Sequence, residues 1–225
     1  MIPRALALLA CTTALAQQPL PANYQTILDN KDLLVMRVHY GPHEFVPMHD
    51  HSAYPTVYVY LNDSGEVRID HEPPNAFSVT RPPTHTGAFR IAPGMSERHS
   101  ITNLSDKPSD FLRVELKSIP PTAIKDVFRG EAPQQPYHSL SETLYDTPAL
   151  RVVRDVCVVD EKCTAGIEKA PSVVVVIPLN SKSEPKQNPA IWLPANKSPY
   201  DLKEVEAIEG RDEPYEILRI VLPKP

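Results

Sequence analysis

Gly41-Pro42-His43-Glu44-Phe45-Val46-Pro47-Met48-His49-Asp50-His51-Ser52-Ala53-Tyr54-Pro55-Thr56-Val57-Tyr58-Val59-Tyr60-Leu61 is the stretch on which the fold turns. Side chains on a strand alternate between faces, so His49 and His51 point the same way. Two neutral imidazoles about 7 Å apart along a strand can converge on one metal ion. His43, Phe45, Pro47, His49 and His51 share that face, while Glu44, Val46, Met48 and Asp50 share the other. His43 stands about 20 Å of strand from His49, too far to be a ligand of the same ion. The next run alternates as well, with Thr56, Tyr58 and Tyr60 on one face and Val57, Val59 and Leu61 on the other.

A third ligand is offered downstream, where Pro93-Gly94 forms a turn, His99 follows it and Asn103 comes four residues later. Together the two stretches resemble the paired motifs of the cupin superfamily. The first family motif runs Gly, five residues, His-x-His, three or four residues, Glu, six residues, Gly. In this chain Gly41 and Gly65 bracket the His pair, and Thr56 stands where the motif carries its Glu. The second motif runs Gly, five residues, Pro-x-Gly-x-x-His, three residues, Asn. Gly87, Pro93, His99 and Asn103 follow it, with Gly94 directly after Pro93 and His99 one residue late. The resemblance implies an all-β fold of cupin-type double-stranded β-helix (jelly-roll) barrels. It also implies a divalent ion held by His49, His51 and His99.

Outward from the motif, strand signals recur. Thr26-Ile-Leu and Leu33 to Tyr40 flank the turn Asp29-Asn30-Lys31-Asp32. Asn62-Asp63-Ser64-Gly65 turns into Glu66-Val-Arg-Ile-Asp70, and residues 17–25 form a polar lead. Residues 72–86, rich in proline, read as a loop over the barrel, and Asp110 to Leu116 closes a first unit spanning 25–118. Residues 119–140 read as a linker with a short helix over 123–128. The pattern then repeats across 141–225. Pro148 to Arg154 echoes Lys31 to Arg37, Val173 to Leu179 echoes Pro55 to Leu61, and Glu213 to Leu222 echoes Lys107 to Leu116. In that register Ile167 and Lys169 replace His49 and His51, Val205 or a neighbour replaces His99, and no histidine follows His138. The second unit therefore reads as a degenerate cupin-like barrel, a structural partner without metal ligands. Its Trp192, the single tryptophan, reads as core.

Composition excludes several classes. The net charge is −5, without the basic face of a nucleic-acid binder. No run reaches the roughly 18 apolar residues that a membrane span needs. The 26 prolines exceed twice the usual share of about 5% and suit short strands rather than long helices. Residues 1–16 read as a signal peptide, with Arg4, an apolar Ala5–Ala10 core and Ala14-Leu15-Ala16 before cleavage. Leu8-Leu9-Ala10-Cys11 alternatively resembles a lipobox with Cys11 lipidated. Either reading places the protein in the envelope, periplasm or exterior, where Cys157 and Cys163 could bridge or remain two thiols.

A three-His site leaves an ion with its full charge and open positions for water, dioxygen or a substrate. Three-His centres occur among cupins resembling thiol dioxygenases. The expected ion is iron, with zinc, manganese, nickel or copper also accommodated. Glu97, of the same strand parity as His99, is the candidate fourth ligand, with His85 and Tyr54 as rivals. Thr56, Tyr58, Tyr60 and Asn103 are expected at the pocket, and Arg90 and Arg98 are candidates to hold an anionic substrate. Two functions follow: a metal-dependent oxidoreductase acting on a small organic molecule, or a non-catalytic small-molecule binder or scaffold.

Overall fold

The structure, a computed structural model, describes residues 19–73, 76–163, 166–180, 188–203, 205 and 213–223. The leader over residues 1–16, with Cys11, lies outside the described residues. The strands are β1 (Tyr24–Asp29), β2 (Leu34–Tyr40), β3 (Phe45–His51), β4 (Thr56–Tyr60), β5 (Val67–His71), β6 (Ser78–Arg81), β7 (Phe89–Ala92), β8 (Glu97–Asn103), β9 (Ser109–Glu115) and β10 (Phe128–Gly130). They are followed by β11 (Leu140–Asp146), β12 (Arg151–Cys157), β13 (Ser172–Pro178), β14 (Ala190–Leu193) and β15 (Tyr215–Val221).

From β2 to β9 the chain crosses between two antiparallel sheets, ordered β2-β9-β4-β7 and β3-β8-β5-β6. That order is the double Greek key of a jelly roll, so the fold is the cupin-type double-stranded β-helix. β1 and β10 extend the first sheet at its two edges. The remaining strands form one five-stranded sheet, β11-β12-β15-β13-β14.

Side-chain alternation stacks these three sheets. Tyr58, Tyr60, Met36, Val38 and Phe111 face the barrel interior with Val46, Val67 and Ile101 from the other wall. The opposite residues of the same strands, Val57, Val59, Val35, Leu112 and Val114, meet Val152, Val173, Val175, Leu218 and Ile220 of the five-stranded sheet. Every residue of β4 and β9 is therefore buried, because their sheet lies between two cores. The far face of the third sheet is covered by Val205 and by loops around Cys157, Leu193 and Tyr215.

Four expectations change here. The proline-rich span 72–86 carries β6, which pairs with β5 through Val67↔Arg81 and Ile69↔Val79. The β-branched pair Val79-Thr80 satisfies a sheet edge that would otherwise stay open. Residues 123–128 form no helix: Ile119 and Ile124 are buried in the shared core, and Phe128 begins β10 against β7. Pairing to a waiting edge overrides local helix preference there. Tyr24, expected in a polar lead, opens β1 with its ring in the barrel. In the second half, where a barrel was expected, the described residues make a single five-stranded sheet. Cys157 and Cys163 are joined as a disulfide with Cα atoms 5.1 Å apart.

Candidate metal centre

β3 and β8 pair with His49 directly opposite His99, after a register shift between Val46 and His49. β8 pairs on its other side with β5, placing His71 opposite His99. Three adjacent strands thus bring four histidines together on one wall of the barrel. The ring centroids of His49, His51 and His99 lie 4.8, 4.9 and 5.0 Å apart. All three are buried, and their ligand atoms lie within 4.8 Å of one another.

The hydrogen bonds of this cluster decide what it can hold. His49 Nδ1 donates to the Pro47 carbonyl at 2.7 Å, which leaves a lone pair on Nε2. That nitrogen meets the Tyr24 hydroxyl at 2.9 Å, and Tyr24 in turn meets the Tyr40 hydroxyl at 2.7 Å. Both nitrogens of His51, and Nδ1 of His99, are buried without any partner. A buried polar atom with no partner is costly unless something absent from the chain satisfies it.

The imidazoles are also held neutral, as metal ligation requires. Burial, then the Arg113 cation and the other histidines, push His51 far below the ordinary range. Burial and His49 hold His99 at about 3. His49 is lowered by burial, partly countered by its bond to Pro47. Neutral, convergent imidazoles, with His51 and His99 carrying partnerless nitrogens and His49 Nε2 meeting only the Tyr24 hydroxyl, fit a divalent ion at His49, His51 and His99.

The candidate fourth ligand Glu97 lies opposite His51 and forms a second convergent group with His71 and His99. Its carboxylate is 3.5 Å from the fully buried Arg113, which also takes Glu115 at 3.0 Å. His71 stacks on Phe77, with centroids 4.3 Å apart. His85 and Tyr54 are exposed and outside the cluster, and His43 sits on the surface beside Asp106 at 2.7 Å.

A cavity of about 330 Å³ opens beside the histidines, and Tyr58, Tyr60, Glu97 and His99 are among its walls. Thr56 shares the strand face of the two tyrosines but is not in that lining, and its hydroxyl donates to the Tyr54 carbonyl. Asn103 is also elsewhere. It donates to the carbonyls of Gly41 and Lys107 and accepts from the Ser105 amide, so it ties two turns together. Arg98 is spent on Asp50 and Glu72 at the surface, whereas Arg90 lines the cavity.

Sequence reasoning missed Tyr24, His71, Arg81 and Arg113. His71 had a readable signal, since Val67, Ile69 and His71 alternate onto one face. Tyr24 had none, because its role depends on β1 pairing with β2.

No family model matches the chain, and no curated protein matches it. Solved structures do. YhaK from Escherichia coli aligns over 93% of this chain and 100% of its own, at 10% identity and TM-score 0.54. AerE from Microcystis aeruginosa aligns over 89% and 97%, at 10% identity and TM-score 0.51. The bacterial pirin YhhW from Escherichia coli, solved in complex with nickel(II), aligns over 90% and 91%, at 14% identity and TM-score 0.50. At such identities the likeness is one of fold, and what it supports is an all-β protein built on a cupin-type barrel.

Proposed function

We propose that this chain is an exported metal-binding protein in which His49, His51 and His99 hold one divalent ion, iron first. In this reading it is a non-haem oxygenase, with dioxygen the oxidant of a small organic molecule bound in the adjoining cavity. The observation that carries the reading is the set of buried, neutral imidazole nitrogens of His51 and His99 that no other group satisfies. The ion would supply Lewis acidity and open coordination positions. The chain's own residues do the rest. Pro47 fixes the His49 tautomer, and the Tyr24 hydroxyl, kept protonated by burial and by Tyr40, stands beside His49 Nε2, the atom that would take the ion. Glu97 is a reserve ligand, restrained by Arg113. The tyrosine and aliphatic walls keep bulk water away.

The five-stranded sheet serves as a cover for the outer face of the barrel, a second unit that has given up metal chemistry. Export is supported by the signal-like leader and the Cys157–Cys163 disulfide.

The test is metal content by mass spectrometry, on protein purified without added metal, beside a His49→Ala, His51→Ala double variant. Near-stoichiometric iron in the wild type and none in the variant supports the oxygenase. Stoichiometric zinc, copper, nickel or manganese keeps the site and changes the chemistry. Equal, metal-free preparations with equal melting temperatures would overturn the metal reading. Chelation that abolishes turnover while sparing ligand binding separates the enzyme from a mere binder.

A further inference from the structure

The cavity beside the histidines carries more positive charge than its own walls neutralise. Three guanidinium groups line it, those of Arg81, Arg90 and Arg113, against one carboxylate, Glu97. Arg113 is satisfied: it has Glu115 at 3.0 Å, Glu97 at 3.5 Å and the Tyr58 hydroxyl at 2.8 Å. The other two differ. Arg81 donates only to neutral oxygens, those of Thr84, Ser64, Ser109 and the Pro82 carbonyl. These bonds hold the group still without cancelling its charge, and burial already lowers its pKa.

Arg90 is the more telling group. It lies over the Tyr58 ring, 4.4 Å from the centroid, and its Nε is buried without a partner. Among the described residues neither Arg81 nor Arg90 is paired with a carboxylate. A guanidinium fork fixed on an aromatic face, with its donors free, matches the two oxygens of a planar anion. Both cations are half-buried, with only ring faces and neutral oxygens against them, and a ligand anion would supply the counter-charge they lack. Apart from its tyrosines and histidines, the rest of the wall is apolar, with Val67, Ile69, Ile101 and Phe111. At about 330 Å³ the cavity suits a small molecule.

The geometry points to a small monocarboxylate with an apolar or aromatic body as the ligand, its carboxylate on Arg90 in the field of Arg81 and its body toward His99. This rests on the oxygenase reading only in calling the ligand a substrate; the anion site itself stands on the arginines. It also accounts for the imbalance around the cavity, since a divalent ion alone would increase the positive charge there.

Calorimetric titration with benzoate and with its neutral analogue benzyl alcohol tests it. Wild-type protein is expected to bind benzoate at least tenfold more tightly than benzyl alcohol. Arg90→Met should lower benzoate affinity at least tenfold and leave benzyl alcohol unchanged, with Arg90→Lys between. Equal affinity of the wild type for the two compounds, no benzoate binding, or unchanged binding in a folded Arg90→Met would overturn the inference. The wild-type comparison stands even if a variant does not fold. The same titration on the His49→Ala, His51→Ala variant, with its metal content, separates the two readings. A benzoate preference that survives in metal-free protein keeps the anion site while the metal reading falls.

Discussion

At the residue scale, the side chain under the greatest constraint is Arg113. It is buried, it bonds Tyr58 and holds two carboxylates, and its charge depresses all three histidines. Arg113→Met would leave Glu97 and Glu115 without their cation, and loss of one partner of a buried pair costs about 3–5 kcal/mol. Urea unfolding of that variant should show a loss of this size. The histidines give a pH signature in the metal-free protein. Their folded pKa values lie below the unfolded value of about 6.5, so the unfolded chain takes up protons that the folded chain refuses. Stability should fall as pH drops below about 6.5, a slope that His51→Ala makes shallower in denaturation series. Glu216 works in the opposite sense. Burial, offset in part by Arg154 at 2.7 Å, raises its pKa from 4.5 to about 7. Its raised pKa favours the folded state below pH 4.5, and that contribution is lost as pH climbs to about 7. Wild type compared with Glu216→Gln, from about pH 5 to about pH 8, should lose relative stability on the alkaline side.

At the element scale, alternation is what made the fold readable. Thr56 to Leu61 names both sides of its sheet in advance: tyrosines toward the barrel, valines toward the second core. The His-x-His spacing and His99 likewise named three residues that the β3–β8 pairing brings together. What stayed hidden depends on strands meeting across long separations. Tyr24 reaches His49 across 25 residues, and Arg90 lies over Tyr58 only because β7 pairs with β4. Asn103 was misplaced because a motif position names a residue and not the turn it holds. One further test belongs to an element junction. Gly87 precedes β7 with φ of +85°, and a Cβ there would stand 2.2 Å from a Glu216 oxygen. Gly87→Ala should therefore cost about 1–3 kcal/mol, read by urea midpoint, through backbone strain and displacement of that carboxylate.

At the scale of the whole molecule, three sheets are joined by two apolar layers, and a third apolar cluster covers the far face of the five-stranded sheet. The centre of the middle sheet has no solvent face, since β4 and β9 are buried throughout. A fragment ending near residue 118 would expose Val57, Val59, Leu112 and Val114, each worth about 1.5–3 kcal/mol when buried. Such a fragment is expected to bind a hydrophobic dye and to lack a cooperative melt, whereas the full chain melts once. β10, drawn from the segment expected to be a linker, pairs with β7 and ties the two halves further.

The position of Trp192 gives this shared core a practical meaning. The chain has one tryptophan, on β14, and it packs against the layer between the barrel and the five-stranded sheet. Its emission is thus a built-in reporter on the layer outside the barrel, which the histidines do not line. An ion that binds only the folded chain adds about 2.7 kcal/mol at a hundredfold excess over its dissociation constant. Heating the protein with and without metal, while watching that single fluorophore, would read the occupancy of a centre it never touches.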